Sequence, residues 1–152
     1  MADNKNVIVT TKTAGGFLIE AQAGNHTAMI DQPQNMGGSD KGPTPLEYVG
    51  IALTSCLASI AIIVANQNKI QLNNFEASFE GALNPEVYMG KETAERSGFQ
   101  NITIKVKIDA NLTQEQKEAF MKEVENRCPV TDNLRNTSTI QIVTEYKNIS
   151  LF

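Results

Sequence analysis

A long uncharged stretch, residues 48–68, constrains the fold of this chain more than any other feature. Just before it, Thr44 is a good helix N-cap, Pro45 suits the first helical position, and Glu47 completes a capping box. The sequence therefore predicts a helix that begins at Pro45. Apolar side chains fall on nearly every side of it, which predicts a central, buried helix with no fully solvated face. These side chains are Val49, Ile51, Ala52, Leu53, Leu57, Ile60, Ala61, Ile62, Ile63 and Val64.

Two other interpretations of this region are less favourable. A membrane span needs about 20 predominantly apolar residues, whereas this stretch is interrupted by glycine, threonine, serine, asparagine and glutamine. We therefore expect no membrane partner. Gly37 and Gly42 have the spacing of a phosphate-binding Walker loop, but Pro43 stands where that motif requires lysine, which excludes the motif.

The composition is that of an ordinary globular protein. The chain has 152 residues, 41% of them hydrophobic, and a net charge of −4, so we expect one domain over residues 1–152 and no nucleic-acid partner. The first residues are polar and lack the apolar core of a signal peptide, which predicts a cytoplasmic location. Two cysteines, 72 residues apart, and one histidine predict neither a disulfide scaffold nor a metal site, and no cofactor is expected.

Segments with strand character lie on both sides of the long helix. Turn residues at 14–16 and 24–25 separate three short strands near residues 7–12, 17–23 and 26–31, which predicts an antiparallel meander. Residues 75–80 and 102–109 alternate apolar and polar side chains, as half-buried strands do. The irregular segment 84–98 is predicted to be a mobile connection, and a last strand is predicted at residues 139–146.

A second capping box, formed by Thr113 and Gln116, predicts an amphipathic helix that reaches Arg127. Pro129 ends this helix, and residues 131–135 are expected to add another turn. Strands, a buried helix, further strands, a helix and a final strand together predict an α+β fold, with the helices on one side of antiparallel sheet.

The two cysteines are the candidates for chemistry. A free cysteine is most often an inert, buried core residue, and that interpretation stays open for both. Cys56, however, lies in the long helix beside hydroxyl side chains, and Cys128 lies at a helix end beside Arg127, whose charge would favour the thiolate.

The order of these motifs resembles the OsmC/Ohr superfamily, named for osmotically inducible and organic hydroperoxide resistance proteins. The resemblance rests on the glycine pair at 37–38, the segment 42–47, Cys56 eleven residues after Pro45, Gly98-Phe99 before a long strand, and the segment 127–130 around Cys128. It implies thiol-dependent peroxidases that reduce organic hydroperoxides. It also implies an OsmC-like fold assembled as an intertwined homodimer, with the active sites at the subunit interface.

Under this resemblance, Cys56 takes the place of the peroxidatic cysteine and Cys128 that of the resolving cysteine. A Cys56 thiolate attacks the peroxide and becomes a sulfenic acid, Cys128 condenses with it to a disulfide, and a dithiol reductant restores both thiols. Arg127 would supply positive charge beside the pair, with Glu47 as a second supporting residue. We also expect the two cysteines to lie within disulfide range, with their Cα atoms about 7 Å apart or less, or to reach that range by a small local movement.

The chain departs from the family's best-characterised peroxidases in the groups that activate the first thiolate. Those proteins use an arginine from an N-terminal loop, held by a glutamate directly after the motif proline, and here Leu46 occupies the glutamate position. Glu47 lies nine residues before Cys56, on the opposite face of an ideal helix, so helix capping is its expected role. The first 35 residues contain no arginine, and Lys12 is only a weak substitute.

Three functions therefore remain open at this stage. The first is a peroxidase acting through Cys56 and Cys128, the second is a non-catalytic module that binds a small hydrophobic ligand, and the third is a redox-responsive dimer. Under all three we expect an obligate dimer, because one layer of sheet can hardly cover a helix that is apolar on nearly every side.

Overall fold

The computed structural model describes residues 3–146 and has the predicted α+β architecture. Its two antiparallel sheets contain three and two strands. In chain order the elements are β1 (Val9–Thr13), β2 (Ile19–Ala23), β3 (His26–Ile30), α1 (Pro45–Gln67), β4 (Leu72–Ala82), α2 (Pro85–Tyr88), β5 (Asn101–Ala110), α3 (Gln114–Arg127) and α4 (Pro129–Arg135). A single 3-10 turn, Gln34–Met36, lies between β3 and α1.

The first sheet is the predicted antiparallel meander β1–β2–β3. Val9 pairs with Ala23, and Ile19 pairs with Ile30, so the three strands are in continuous register. The turn between β1 and β2 needs glycine, because Gly15 and Gly16 both have positive φ. Every residue of β1 is exposed, so this sheet stands largely outside the core of the chain.

The helix α1 begins at Pro45 as predicted. Thr44 and Glu47 form the capping box: the Glu47 amide donates to Thr44 Oγ1 at 3.3 Å, and the Thr44 amide donates to Glu47 Oε2 at 2.7 Å. By length and composition α1 could cross a membrane, but it packs on β4, α3 and α4 as a core helix does.

The prediction that α1 has no solvated face is not met within one chain. One face of the helix is buried, while Ile51, Ile62 and Ile63 on the other face are 46%, 55% and 42% exposed. The single layer formed by β4 and β5 covers only the side of the helix that it contacts. The buried residues of α1 are Gly50, Leu53, Leu57, Ala61, Val64 and Ala65.

The second sheet pairs β4 with β5 over their whole length, from Leu72 opposite Ala110 to Ala82 opposite Asn101. The predicted alternation holds, since one face carries apolar side chains that pack on the core and the other carries ion pairs. Lys105 pairs with Glu80 on that outer face. The core-facing residues of the sheet include Leu72, Phe75, Phe79, Ile102, Ile104 and Ile108.

The amphipathic helix α3 is capped by Thr113 and Gln116 as predicted, and it buries Phe120 and Val124 against α1. The predicted extra turn is the helix α4. The connection 84–98 is not wholly irregular, because Asn84 accepts a hydrogen bond from the Glu86 amide and caps the short helix α2.

The predicted last strand is wrong for the described chain. Residues 139–146 have no regular structure, and Ile140, Ile142 and Val143 are 84%, 85% and 76% exposed. A strand forms only when its backbone groups pair with a neighbouring strand, and neither sheet of this chain pairs with the segment. The segment therefore has the apolar alternation of a strand, but neither described sheet offers it a strand to pair with.

Candidate thiol site

Cys56 lies near the middle of α1 and is partly buried. Its side chain packs against the core cluster. The backbone N–H of Val130, at the start of α4, lies close enough to lower the pKa of the Cys56 thiol. The continuous helical ladder of α1 thus holds Cys56 towards the junction of α3 and α4. The capping box that fixes the start of α1 also fixes where Cys56 points.

Cys128 forms that junction. It is the C-cap of α3 and the N-cap of α4, with an extended backbone conformation between the two helices. Pro129 causes the break, because it has no N–H to continue the ladder of α3 and suits the first position of α4. Cys128 Sγ accepts a hydrogen bond from the Thr131 amide at 3.5 Å, and the residue is only 1% exposed.

The fold brings the two thiols together, and each changes the pKa of the other. Burial raises the pKa of Cys56, the Val130 amide lowers it, and the neighbouring Cys128 raises it, so the net pKa lies above its ordinary value of 9.0. Burial also raises the pKa of Cys128. There, however, hydrogen bonds from Thr131, Cys56 and Val130 outweigh burial and hold the pKa below 9.0. Hydrogen bonds therefore favour the thiolate form of Cys128, whereas burial disfavours the thiolate form of Cys56.

The other two predicted site residues point to other partners. The Arg127 guanidinium donates from Nη1 to Gln67 Oε1 at 2.9 Å and to Glu123 Oε1 at 3.0 Å. Its charge is therefore compensated by Glu123 on its own helix. Glu47 accepts from the Thr44 amide and hydroxyl, which lower its pKa, so helix capping is the role that its contacts show. Lys12, on β1, forms an exposed ion pair with Glu20.

Sequence reasoning missed a cleft of about 330 Å³ between α1, β5, α3 and α4, which neither cysteine lines. Leu53 and Leu57, which flank Cys56 in the sequence, form part of its wall. Arg96 and Arg135 also line it. One signal was available: Thr131 and Arg135 are four residues apart and so share one face of α4. The position of Arg96 carries no such signal, because it lies in the irregular connection before β5.

No group of three or more histidine, cysteine, aspartate or glutamate residues that could hold a metal ion occurs within residues 3–146. The arrangement of the site is a thiol pair, with one partly exposed and one buried sulfur. Such a pair can be oxidised in steps to a sulfenic acid and a disulfide.

A meander, a long helix carrying one cysteine and a helix junction carrying a second define an α+β protein with a thiol pair in its core. A family model described as OsmC-like protein matches residues 38–143. The chain belongs to that family, which confirms the resemblance seen in its motifs. The match includes both cysteines and all of α1, and it begins after the meander.

Solved structures support the same fold. An OsmC-like protein from Mycoplasma pneumoniae superposes with a TM-score of 0.71 at 18% identity, over 90% of this chain and 91% of the other. An organic hydroperoxide resistance protein OsmC from Legionella pneumophila gives a TM-score of 0.66 at 22% identity, over 88% and 92% of the two chains. The organic hydroperoxide resistance protein OhrB of Bacillus subtilis gives 0.58 at 17% identity, over 88% and 93%. Comparison with curated protein sequences gives no significant match.

Proposed function

We propose that the protein is a thiol-dependent peroxidase that reduces organic hydroperoxides. The observation that carries this proposal is the placement of Cys56 of α1 and Cys128 of the α3–α4 junction in one core cluster, close enough that each thiol changes the pKa of the other, in a chain of the OsmC-like family. The likeness to organic hydroperoxide resistance proteins supports the class of substrate.

Cys56 is the thiol that attacks, because it is partly exposed whereas Cys128 is 1% exposed and out of reach of a bulky peroxide. Its sulfur forms a bond to the outer peroxide oxygen while the O–O bond breaks. Cys56 becomes a sulfenic acid, and the alkoxide leaves as an alcohol by taking the proton that the Cys56 thiol released, which Cys128 had accepted. The peroxide is reduced by two electrons, and the Cys56 sulfur is oxidised by two.

The Cys56 thiol must lose its proton for this attack, since the thiolate is the nucleophile. Cys128 is the proton acceptor in our proposal, because its own hydrogen bonds favour its thiolate and it is close enough to Cys56 to change the pKa of that thiol. The family's activating arginine and glutamate have no counterparts at the matching positions here. In this chain a Cys128 thiolate would take the place of that arginine and glutamate, because it would act as the base that removes the Cys56 proton.

Cys128 then attacks the Cys56 sulfenic acid. An S–S bond forms, water leaves, and the pair is a disulfide. An external dithiol reduces it by thiol–disulfide exchange, becomes a disulfide itself and returns both cysteines to thiols. This cycle needs no metal or cofactor, and it fits a reducing, cytoplasmic compartment.

We further propose that the active unit is a homodimer. Ile51, Ile62 and Ile63 on the open face of α1 are apolar and exposed in one chain, and so is the segment 139–146. A second copy could cover the helix face and pair its own backbone with the segment. Burial of this apolar surface, which is exposed to water in a single chain, would stabilise the dimer.

A thiol-counting experiment tests the enzyme. Reduced protein is mixed with cumene hydroperoxide, and free thiols are counted over seconds, with a Cys56→Ser variant as control. Loss of both thiols in the native protein, with retention of the Cys128 thiol in the variant, is the expected result.

A second candidate function is favoured by one observation, the raised pKa of Cys56, which lowers the reactivity of that thiol. On this alternative the protein is a non-catalytic ligand-binding or redox-responsive module. Oxidation of both thiols only over minutes to hours, at a rate no greater than that of free cysteine, would favour it over the peroxidase.

A further inference from the structure

The junction between α3 and α4 places two donors of one residue beside the Cys128 sulfur. The Thr131 amide donates to Cys128 Sγ at 3.5 Å, and the Thr131 hydroxyl lies close enough to lower the pKa of the same thiol. Pro129 has no N–H, so the backbone donors at the start of α4 are those of Val130 and Thr131. Of these residues, only Thr131 adds a side-chain hydroxyl to its amide.

The Thr131 hydroxyl has no other partner among residues 3–146. Thr131 is 8% exposed, and its Oγ1 makes no hydrogen bond of normal geometry there. A threonine inside a helix can donate to the carbonyl one turn earlier, and Thr54 does so, since its Oγ1 donates to the Gly50 oxygen at 2.9 Å. Thr131 makes no such bond, so its hydroxyl proton is left for Cys128.

A thiolate would satisfy this hydroxyl better than a thiol does. A neutral thiol sulfur is a weak acceptor, whereas a hydrogen bond to an ionised acceptor is about twice as strong as one between neutral groups. A buried hydroxyl without a good acceptor costs free energy. When Cys128 loses its proton, the Thr131 hydroxyl therefore gains a bond that the thiol state cannot give it.

The titratable neighbour of Cys128 on α1 is Cys56, which acts on it directly. The charged side chains of α3 and α4 near the junction bond to partners other than the thiols. These are Glu123, Glu125, Arg127, Asp132 and Arg135. The ion pairs between β4 and β5 lie on the outer face of the sheet. A variant that lacks the Cys56 thiol therefore isolates the effect of Thr131 on Cys128.

We propose that Thr131 is a positioning residue of the thiol pair, whose hydroxyl and amide together hold the Cys128 sulfur as a thiolate. The amide is part of the backbone of α4, whereas the hydroxyl can be removed by substitution. The catalytic consequence rests on the proposed function: if Cys128 accepts the Cys56 proton, Thr131 sets the pH at which that acceptor is available.

An NMR titration of full-length Cys56→Ser protein tests the proposal, because Cys128 is then the remaining cysteine. The Cβ chemical shift of isotope-labelled Cys128 reports its ionisation. Thr131→Val, which keeps the shape of the side chain, should move the midpoint to higher pH by about one pH unit. Thr131→Ala should move it in the same direction. Thr131→Ser, which keeps the hydroxyl, should leave the midpoint near that of the reference.

Thr54→Val is the matched control, because it removes a hydroxyl that is already bonded to the backbone of α1. It should not move the midpoint measurably. The proposal is overturned if Thr131→Val and Thr131→Ala both titrate as the reference does. It is also overturned if Thr131→Ser shifts the midpoint as far as Thr131→Val.

The catalytic consequence is measured separately, in protein that retains both cysteines. Stopped-flow trapping of the Cys56 sulfenic acid in Thr131→Val should give a pH–rate profile displaced to higher pH, as the NMR midpoint is. A displaced midpoint with an unchanged rate profile would refute Cys128 as the proton acceptor. Because the titration needs no turnover, absence of sulfenic acid at every pH would refute the peroxidase without refuting the role of Thr131.

Discussion

Gly42 lies so close to the carbonyl oxygen of Met29 that a Cβ atom on Gly42 would stand well inside 3.0 Å of it. The same Met29 oxygen accepts a hydrogen bond from the Tyr48 hydroxyl at 3.0 Å. Tyr48 belongs to the first turn of α1. This close approach therefore links the end of β3 to the start of the helix that carries Cys56.

Gly42→Ala should accordingly destabilise the protein by about 3 kcal/mol or more, because the overlap is with backbone that has no rotamer to change. Gly24→Ala is the matched control. Gly24 has a positive φ of 58° but no atom near its would-be Cβ, so only about 1–2 kcal/mol of backbone strain is expected there. Urea unfolding measures both values, and equal losses for the two variants would show that the Met29 contact is not a constraint.

Much of the fold could be predicted from sequence because its signals are local. Capping boxes at Thr44 and Thr113 fix the starts of α1 and α3, and strict alternation marks β5. The last strand could not be placed correctly, because Ile140 and Ile142 alternate as strand residues do but pair with neither sheet among residues 3–146. Pairing is a property of neighbours in space, which periodicity does not report.

The site was only partly predictable for a related reason. Cys56 and Cys128 could be nominated by family motif, but the direction of each pKa depends on amides that only the folded helix junction supplies. Arg127 is adjacent to Cys128 in sequence, yet its side chain turns to Gln67 and Glu123. Sequence adjacency places the backbone of a residue near its neighbour and leaves the direction of a long side chain open.

Asp31, in the loop before α1, should make the free energy of unfolding depend on pH in the acid range. This carboxylate is 1% exposed and accepts hydrogen bonds from the Gln32, Ser39 and Lys41 amides and the Ser39 hydroxyl. Burial raises its pKa, but these bonds outweigh burial and hold the pKa below 3.8. The folded state thus favours the ionised form. Its contribution to stability is present above pH 3.8 and is lost as pH falls through the folded-state pKa.

Asp31→Asn should lower the urea midpoint at neutral pH, since the amide group presents a donor to other donors. It should also flatten the fall in stability below pH 3.8. Asp40→Asn is the control, because Asp40 is exposed in the same loop and its positive φ is tolerated by asparagine. This account would be contradicted if the native protein and Asp31→Asn lost stability equally as the pH falls.

Cys128→Ser should slow the first oxidation of Cys56, and not only prevent the disulfide. If Cys128 accepts the Cys56 proton, its replacement by serine removes the base, and formation of the sulfenic acid should slow about tenfold or more. Stopped-flow trapping of the sulfenic acid measures that step alone. An unchanged first-step rate, with loss of the disulfide, would limit Cys128 to the resolving role.

The pH dependence of the same step has a definite sign. The rate constant should rise with pH as the pair loses its first proton and should level off below pH 9.0, because hydrogen bonds lower the pKa of Cys128. In Cys128→Ser, burial still raises the pKa of Cys56, so the rise should move to higher pH. Identical profiles for the two proteins would mean that the cysteines titrate independently.

A dimer interface on the open face of α1 predicts a strong effect of charge at Ile62, which is 55% exposed in the single chain. Ile62→Lys would bury an unpaired ammonium group and should raise the dimer dissociation constant at least about a hundredfold. Thr103→Lys adds the same charge on the outer face of β5, opposite Glu80, and should leave the dimer intact. Sedimentation velocity distinguishes the outcomes, and a stable wild-type monomer at micromolar concentration would remove the interface.

Substrate selectivity should follow from the side chains around Cys56. Leu53 and Leu57 are buried beside it, and Ile60 packs in the same cluster one turn further along the helix. Apolar walls gain from an apolar substrate at about 0.8 kcal/mol for each buried methylene. A few such groups held in the transition state raise the specificity constant about tenfold to a hundredfold. Hydrogen peroxide offers no such surface, so cumene hydroperoxide should react faster with Cys56.

Second-order rate constants for both peroxides, measured with Cys128 present, decide the question. Leu57→Ala should reduce the preference, whereas Leu46→Ala, a truncation of an exposed leucine in the first turn of the same helix, should not. Equal constants in the native protein would show that no apolar pocket selects the substrate.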